Sequence, residues 1–245
     1  MVDRRWLILR LEAPLLAFGG VAIDHVGVTR DFPALSMLTG LFANALGWER
    51  TQWERHQALQ DRLIFAARRD REEDAGPLTD MQNAKLEKND RGWTTRGEPE
   101  GRDGASYGAP HRRRRDYHMD ARLLVALRLE PEADAPDLDA LAAALQRPAR
   151  PLFIGRKPCL PSAPLLWRDA VPAPDAWTAL ICATAHEQGT EKSMRAIWPL
   201  GEGPQEGKEV DRIVDLPDLR NWRTGLHGGA RKIVEGCLLA REVTA

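Results

Sequence analysis

Cysteine is scarce and scattered: three residues, Cys159, Cys182 and Cys237, with no C-x-x-C pair and no paired His-x-x-x-His. That spacing argues against a zinc site and against a disulfide framework, and a reducing cytoplasm is the expected setting. Long apolar runs are missing as well. The run that opens at Trp6 is broken by Arg10 and Glu12, too soon for a signal-peptide core or a membrane span, so no membrane association is expected. An excess of one charge is also absent. Thirty-five Lys+Arg against 36 Asp+Glu leave a formal charge of -1, so the chain as a whole is not drawn onto polyanions and any basic surface must be local. What is present is an ordinary globular composition, 43% hydrophobic and 29% charged, in 245 residues: one large domain or two small ones sharing an interface.

The pattern of apolar residues predicts the elements. Trp6 to Leu11 is a short apolar run stopped by Glu12-Ala13-Pro14, the mark of a buried strand. Leu35, Leu38, Leu41, Phe42, Ala45 and Leu46, spaced by three or four, predict a helix opened by Pro33 and closed by Gly47. Thr51 and Glu54 form a T-x-x-E capping box for a second short helix through Leu59, and Leu63 to Ala67 reads as a strand. From 76 to 118 apolar periodicity vanishes and glycines punctuate the chain, so a long excursion is expected, a hairpin with nine Lys/Arg against six Asp/Glu between 84 and 118. The excursion is net positive. Leu123, Val125, Leu127 and Leu129 alternate as in a strand with one face buried, Asp137 can cap a helix through Leu145, and 151–154 reads as a short strand. Beyond about 165 the segments 178–184, 194–198 and 233–239 are expected as strands.

The order β-α-β, insertion, β-α-β predicts an α+β fold with a ferredoxin-like βαββαβ core over 1–160, an inserted hairpin at about 76–118, and a small β-rich part over 161–245. Two segments carry candidate chemistry. His111-Arg112-Arg113-Arg114-Arg115-Asp116-Tyr117-His118 sets four guanidiniums beside imidazoles and a phenol; guanidinium forks grip phosphate and flat groups stack on unpaired bases, as single-stranded nucleic-acid contact requires. Gly155-Arg156-Lys157 follows a predicted strand, where a glycine admits close backbone approach and two cations can clamp an anion. His111, Tyr117, His118 and Arg115 could also supply base and acid for metal-free RNA cleavage, so an endoribonuclease is the competing reading. His25, His56, His186 and His227 stand alone and read as structural. No cofactor and no metal are expected.

Several pieces together resemble the CasD family, the handle-binding subunit of the type I-E CRISPR surveillance complex, Cascade. They are Trp6 to Pro14 with Ala17-Phe18-Gly19, Asp31-Phe32-Pro33 leading into Leu38 to Gly47, Leu63 to Asp70, Thr79-Asp80-Met81-Gln82, Arg115 to Ala121, and Pro151 to Cys159 with its Gly-Arg-Lys-x-Cys close. The resemblance spans about residues 5–165 and is faint beyond. It implies that the inserted hairpin is a thumb and that the subunit, without catalysis, binds the 5′ handle of a CRISPR RNA, caps the backbone filament, touches the large subunit and meets target DNA only indirectly. The RNA contacts it implies, joined to the two cationic segments, are Phe18, Arg30, Ser36, Gln82, Lys85, His111, Arg112, Arg113, Arg114, Arg115, Tyr117, Gly155, Arg156 and Lys157. A sister lineage cleaves precursor RNA, which keeps the endoribonuclease as the alternative.

Overall fold

The computed structural model describes residues 3–20, 22–73, 76–84, 92–93, 99–100, 111–183 and 193–239. In chain order these form β1 (Arg4–Leu16), β2 (Ala22–Ile23), β3 (Val26–Gly27), α1 (Leu35–Ala45), α2 (Trp53–Arg62), β4 (Leu63–Arg71) and β5 (Leu78–Ala84). Then come β6 (Gly92–Trp93), β7 (Pro99–Glu100), β8 (His111–Leu129), α3 (Leu138–Gln146), β9 (Leu166–Ala173), α4 (Ala176–Ala183), β10 (Ser193–Pro199), β11 (Val210–Leu216) and β12 (Arg231–Leu239). The main sheet runs β11-β12-β10-β4-β8-β1-β9, antiparallel at every step.

Alternation along the central strands sorts side chains between two cores. Leu7, Leu9 and Leu11 of β1 face the same side as Leu123, Val125 and Leu127 of β8, where Leu38 and Phe42 of α1 and Leu141 and Leu145 of α3 cover them. The opposite face, with Trp6, Ile8, Leu124 and Ala126, is closed by Ala176, Ala179 and Leu180 of α4 and by Trp198 and Val234. So β8 is buried on both faces where one was expected. Its Arg128 survives there because Glu130 and Glu202 each pair with it at 2.6 Å.

Four expectations need correction. Residues 151–154 form no strand: the Ile154 N–H donates within a tight turn to the Cys159 carbonyl (2.7 Å), and the strand beside β1 is β9. Residues 176–183 are helical, because Asp175 caps them by accepting the Thr178 N–H at 2.7 Å; a short apolar run alone does not tell helix from strand. The Thr51 capping box does not form. Gln52 occupies the N-cap of α2 and its amide oxygen accepts the Glu49 N–H (2.8 Å) instead. Pro33 stands before the N-cap Ala34, and α1 begins at Leu35. Gly47 does close α1: its φ of 77° turns the chain, so that the Trp48 N–H reaches the Ala43 carbonyl at 2.9 Å.

The excursion leaves from β5 and returns in β8, paired from Leu78↔Tyr117 to Ala84↔His111, while β3 runs parallel to β8 on its other side. Farther out, β6 pairs with β7. No helix among the described residues is long and apolar enough to cross a membrane.

Candidate nucleic-acid interface

The loop between β11 and β12 reaches back across α1 and makes one wall of a groove. Asp218, 1% exposed, anchors it: its carboxylate accepts the Leu35 N–H at 2.9 Å and pairs with Arg231 at 3.0 Å, while its carbonyl accepts the Ser36 N–H. The N-terminus of α1 is therefore capped by a residue distant in sequence. Gln60 grips the same loop, accepting from the Arg220 N–H (3.1 Å) and the Trp222 indole (3.1 Å), and Gln57 accepts the Trp222 N–H. Trp222 packs over α1 at Gly40, its ring edge 3.7 Å from where a Cβ would be, ordinary contact distance.

Under this loop lies a hollow of about 420 Å³, lined by the Gly19-Gly20 turn, Arg30, Ser36, Phe153, Gly155, Arg220 and His227. A second hollow of about 310 Å³ shares Gly40, Asn44, Phe153, Arg220 and Trp222 with it and extends to Trp48, Arg50, His56 and Arg150. Together they form one cationic path. Asp218 is the only carboxylate among the described lining residues, and Arg231 offsets it. Burial, then the charges of Arg220 and Arg30, push the His227 imidazole below its ordinary range.

The residues singled out in the sequence divide three ways. Arg30 and Ser36 line the groove, Arg30 with one guanidinium nitrogen on the Pro217 carbonyl (2.7 Å). Arg115 and Arg156 converge beside Gly27: a Cβ there would lie 2.7 Å from one guanidinium and 3.2 Å from the other. Lys157 is exposed on the adjoining turn, and Gln82 is exposed on β5, donating to Asp80 at 2.7 Å. The Arg112 to Arg115 run is split by the strand period, Arg112 and Arg114 pointing to one face of β8 and Arg113 and Arg115 to the other. Arg114 is drawn to Asp116 (3.4 Å) and Thr79 (3.4 Å).

Other members turn inward. Phe18 is fully buried and packs on His118 at 5.3 Å between ring centroids, and Tyr117 is 3% exposed beneath the Arg156 guanidinium, so neither ring is open to a base. Arg156 spends its donors on the carbonyls of Asp116 (2.9 Å), Gly27 (2.9 Å) and Val28 (3.3 Å). Gly155 is needed for the protein's own packing: at φ 83° a Cβ would fall 1.5 Å from the Ala17 carbonyl oxygen. His118 is buried with Nε2 2.8 Å from the Arg30 carbonyl and Nδ1 3.4 Å from Arg69, which fits a neutral ring protonated at Nε2. Burial first, offset in part by that carbonyl, holds its pKa below the ordinary value. Lys85 and the side chain of His111 lie outside the described residues.

Sequence reasoning missed Asn44, Arg50, Arg150, Phe153, Arg220, Trp222 and His227. One signal was available: Arg220-Asn221-Trp222-Arg223 interleaves base and aromatic in a stretch without apolar period.

Known proteins resemble the chain along most of its length. The family model described as CRISPR-associated protein (Cas_Cas5) matches residues 6–234. The CRISPR system Cascade subunit CasD of Escherichia coli (strain K12) is 30% identical over 162 residues, 66% of this chain and 70% of that protein. A chain of a CRISPR RNA-guided surveillance complex superposes with a TM-score of 0.65 at 23% identity, over 96% of this chain and 91% of that one. A crystal structure of a Cas protein gives 0.57 at 23% identity, over 96% and 95%.

Proposed function

The chain belongs to the CRISPR-associated Cas5 family, and from that premise we propose that it is a CasD-like subunit of an RNA-guided surveillance complex that grips the 5′ handle of the CRISPR RNA without cutting it. The observation that carries this reading is the groove over α1: lined by Arg30, Arg50, Arg150 and Arg220, bordered by Trp222 and Phe153, with its one carboxylate already paired. Phosphates meet guanidiniums along such a path while flat rings flank the bases. Near its Gly155 end, Arg115 carries the cationic line onto the arm built from β5 and β8.

Between Leu78 and Ala84 the arm pairs β5 with β8 alone, and β3 borders β8 on its other edge, which suits it to contact RNA or a neighbouring backbone subunit. The strand order supports a ferredoxin-like core, since β1 and β8 are central, β4 and β9 flank them, and α1 and α3 share one face. In this reading the protein works inside the cell, contacts the large subunit, and meets target DNA only through the assembly. Binding is favoured over cleavage because His118, one of the two histidines a metal-free cleavage by this segment would call on, is buried with both ring nitrogens engaged.

Co-expression of the full chain with its complex partners, followed by sequencing of the RNA that copurifies, tests the reading. Repeat-derived 5′ segments should dominate, and complexes that assemble without such enrichment would overturn it. Repeat RNA incubated with the purified chain in EDTA should stay intact; products lost in His111→Ala would put an endoribonuclease in its place.

A further inference from the structure

Two guanidiniums in the outer part of the groove come together beside Gly225. Arg50 follows α1 and Arg220 stands on the loop between β11 and β12, and both line the 310 Å³ hollow. Their Nη2 atoms lie 3.5 Å and 3.3 Å from one point, the place where a Cβ on Gly225 would be. Gly225 leaves that point empty, and with φ at 76° a side chain there would be strained.

Like charges at such range repel unless something offsets them. No carboxylate lines this hollow among the described residues, and no hydrogen bond or ion pair joins Arg50 to any of them. The Arg220 Nε is buried without a hydrogen-bond partner. Burial, then the Arg50 charge, lower the Arg220 pKa, which marks the same uncompensated state. Arg220 lies over the Trp222 ring at 5.1 Å, a contact that brings no counter-charge, whereas Arg150 caps the Trp48 and Gly47 carbonyls and Arg231 pairs with Asp218.

We infer that Arg50 and Arg220 form a seat for one phosphodiester group of single-stranded RNA, held between the two guanidinium forks above Gly225. An anion there would accept from the two Nη2 groups and cancel the repulsion, with charge-assisted bonds stronger than neutral ones. RNA is favoured over an acidic protein segment by the surroundings. The seat opens onto the larger hollow through Asn44, Phe153 and Trp222, so a strand entering at Arg30 and His227 reaches it without leaving the groove. Trp222, backed by His56 at 4.7 Å between ring centroids, is a flat surface beside the seat. The inference rests on reading the groove as an RNA path, and adds a phosphate contact on the loop between β11 and β12.

Fluorescence anisotropy of the full chain with a repeat-derived single-stranded RNA, repeated across salt concentrations, tests it. The double variant Arg50→Gln with Arg220→Gln should bind roughly tenfold more weakly, and its slope of log affinity against log salt should be shallower by about 0.7, the share of one phosphate on a single strand. Arg50→Gln alone, at an exposed residue with no described partner, should shift both in the same direction and serves if the double variant folds poorly. Without RNA, Arg50→Gln should not lower the melting temperature, because it relieves repulsion; a merely structural role would lower it and overturn the inference.

Inorganic phosphate should compete with the RNA on the wild type and less on the double variant. Wild-type binding with an unchanged slope in the variants overturns the seat and leaves the groove reading standing. Loss of complex assembly with unchanged RNA affinity would assign the pair to an acidic protein partner and overturn it too. A wild-type chain that binds no RNA would remove both.

Discussion

Asp218 ties together parts of the chain 183 residues apart, closing the N-terminus of α1 and neutralising Arg231 in one buried position. Asp218→Ala removes the cap and leaves Arg231 without its counter-charge, so it should destabilise the protein by about 3 kcal/mol, read by urea denaturation. Asp218→Asn keeps an oxygen for the Leu35 N–H and should cost less; equal losses would show that the ion pair with Arg231 dominates. His118 makes a second residue-scale prediction. Its pKa in the folded chain is held below the ordinary value of about 6.5, so the unfolded chain takes up its proton first as pH falls. The stability it contributes is complete above that pH and is lost as pH drops toward the lowered folded value. Melting followed from pH 7.5 to 5 should therefore fall less steeply for His118→Gln than for the wild type, and parallel curves would assign the acid sensitivity elsewhere.

At the scale of elements, the strand period decides what the arginine run can do. Arg113 and Arg115 share the face that turns to Gly27 and Arg156, whereas Arg114 on the opposite face is already drawn to Asp116 and Thr79. Replacing Arg113 and Arg115 with Ala should weaken repeat-RNA binding roughly tenfold, and replacing Arg112 and Arg114 should weaken it less. Equal losses in an anisotropy titration would mean that RNA wraps both faces of β8. The density of arginine was legible in the sequence; its division between two faces needed the knowledge that 111–129 is one strand. Helices α1 and α3 were legible because a strong apolar period and clear end signals agree, with Gly47 and Asp137 in their expected roles. The helix α4 was not, since eight residues from Ala176 to Ala183 are apolar on too many sides for a period to show. The Gly155-Arg156-Lys157 motif was visible, yet its glycine meets the chain's own Ala17 carbonyl and its arginine is spent on three backbone oxygens, which local sequence does not reveal. The groove was least legible, because its far wall is placed only by long-range docking, Asp218 onto the Leu35 N–H of α1 and Arg220 and Trp222 onto Gln57 and Gln60 of α2.

Over the whole molecule, the C-terminal third is built into the same sheet as the core. β9 flanks β1, and β10 joins β4 through Ala196↔Arg68 and Ile197↔Ala67, a narrow ladder of two pairs. The side chains make up for its narrowness: Trp198, Val234 and Leu238 share a core with Trp6, Ile8, Ala66 and Ala126, and α4 seals it. The Trp6 indole donates to the Ala173 carbonyl at 3.0 Å, so even the first strand depends on residues past 165. A chain ended at residue 165 would expose Trp6 and Ile8, uncover the small-residue face of β8, and strip the Asp218 cap from α1. Burying side chains of that size contributes about 1.5–3 kcal/mol each, against a total stability of only about 5–15 kcal/mol. The truncated chain should therefore show no cooperative thermal transition and rapid proteolysis, with RNA affinity lost alongside. A sharp melt for residues 1–165 would instead mean that α1, α3 and their face of the sheet fold alone, with the C-terminal strands serving only to shape the groove.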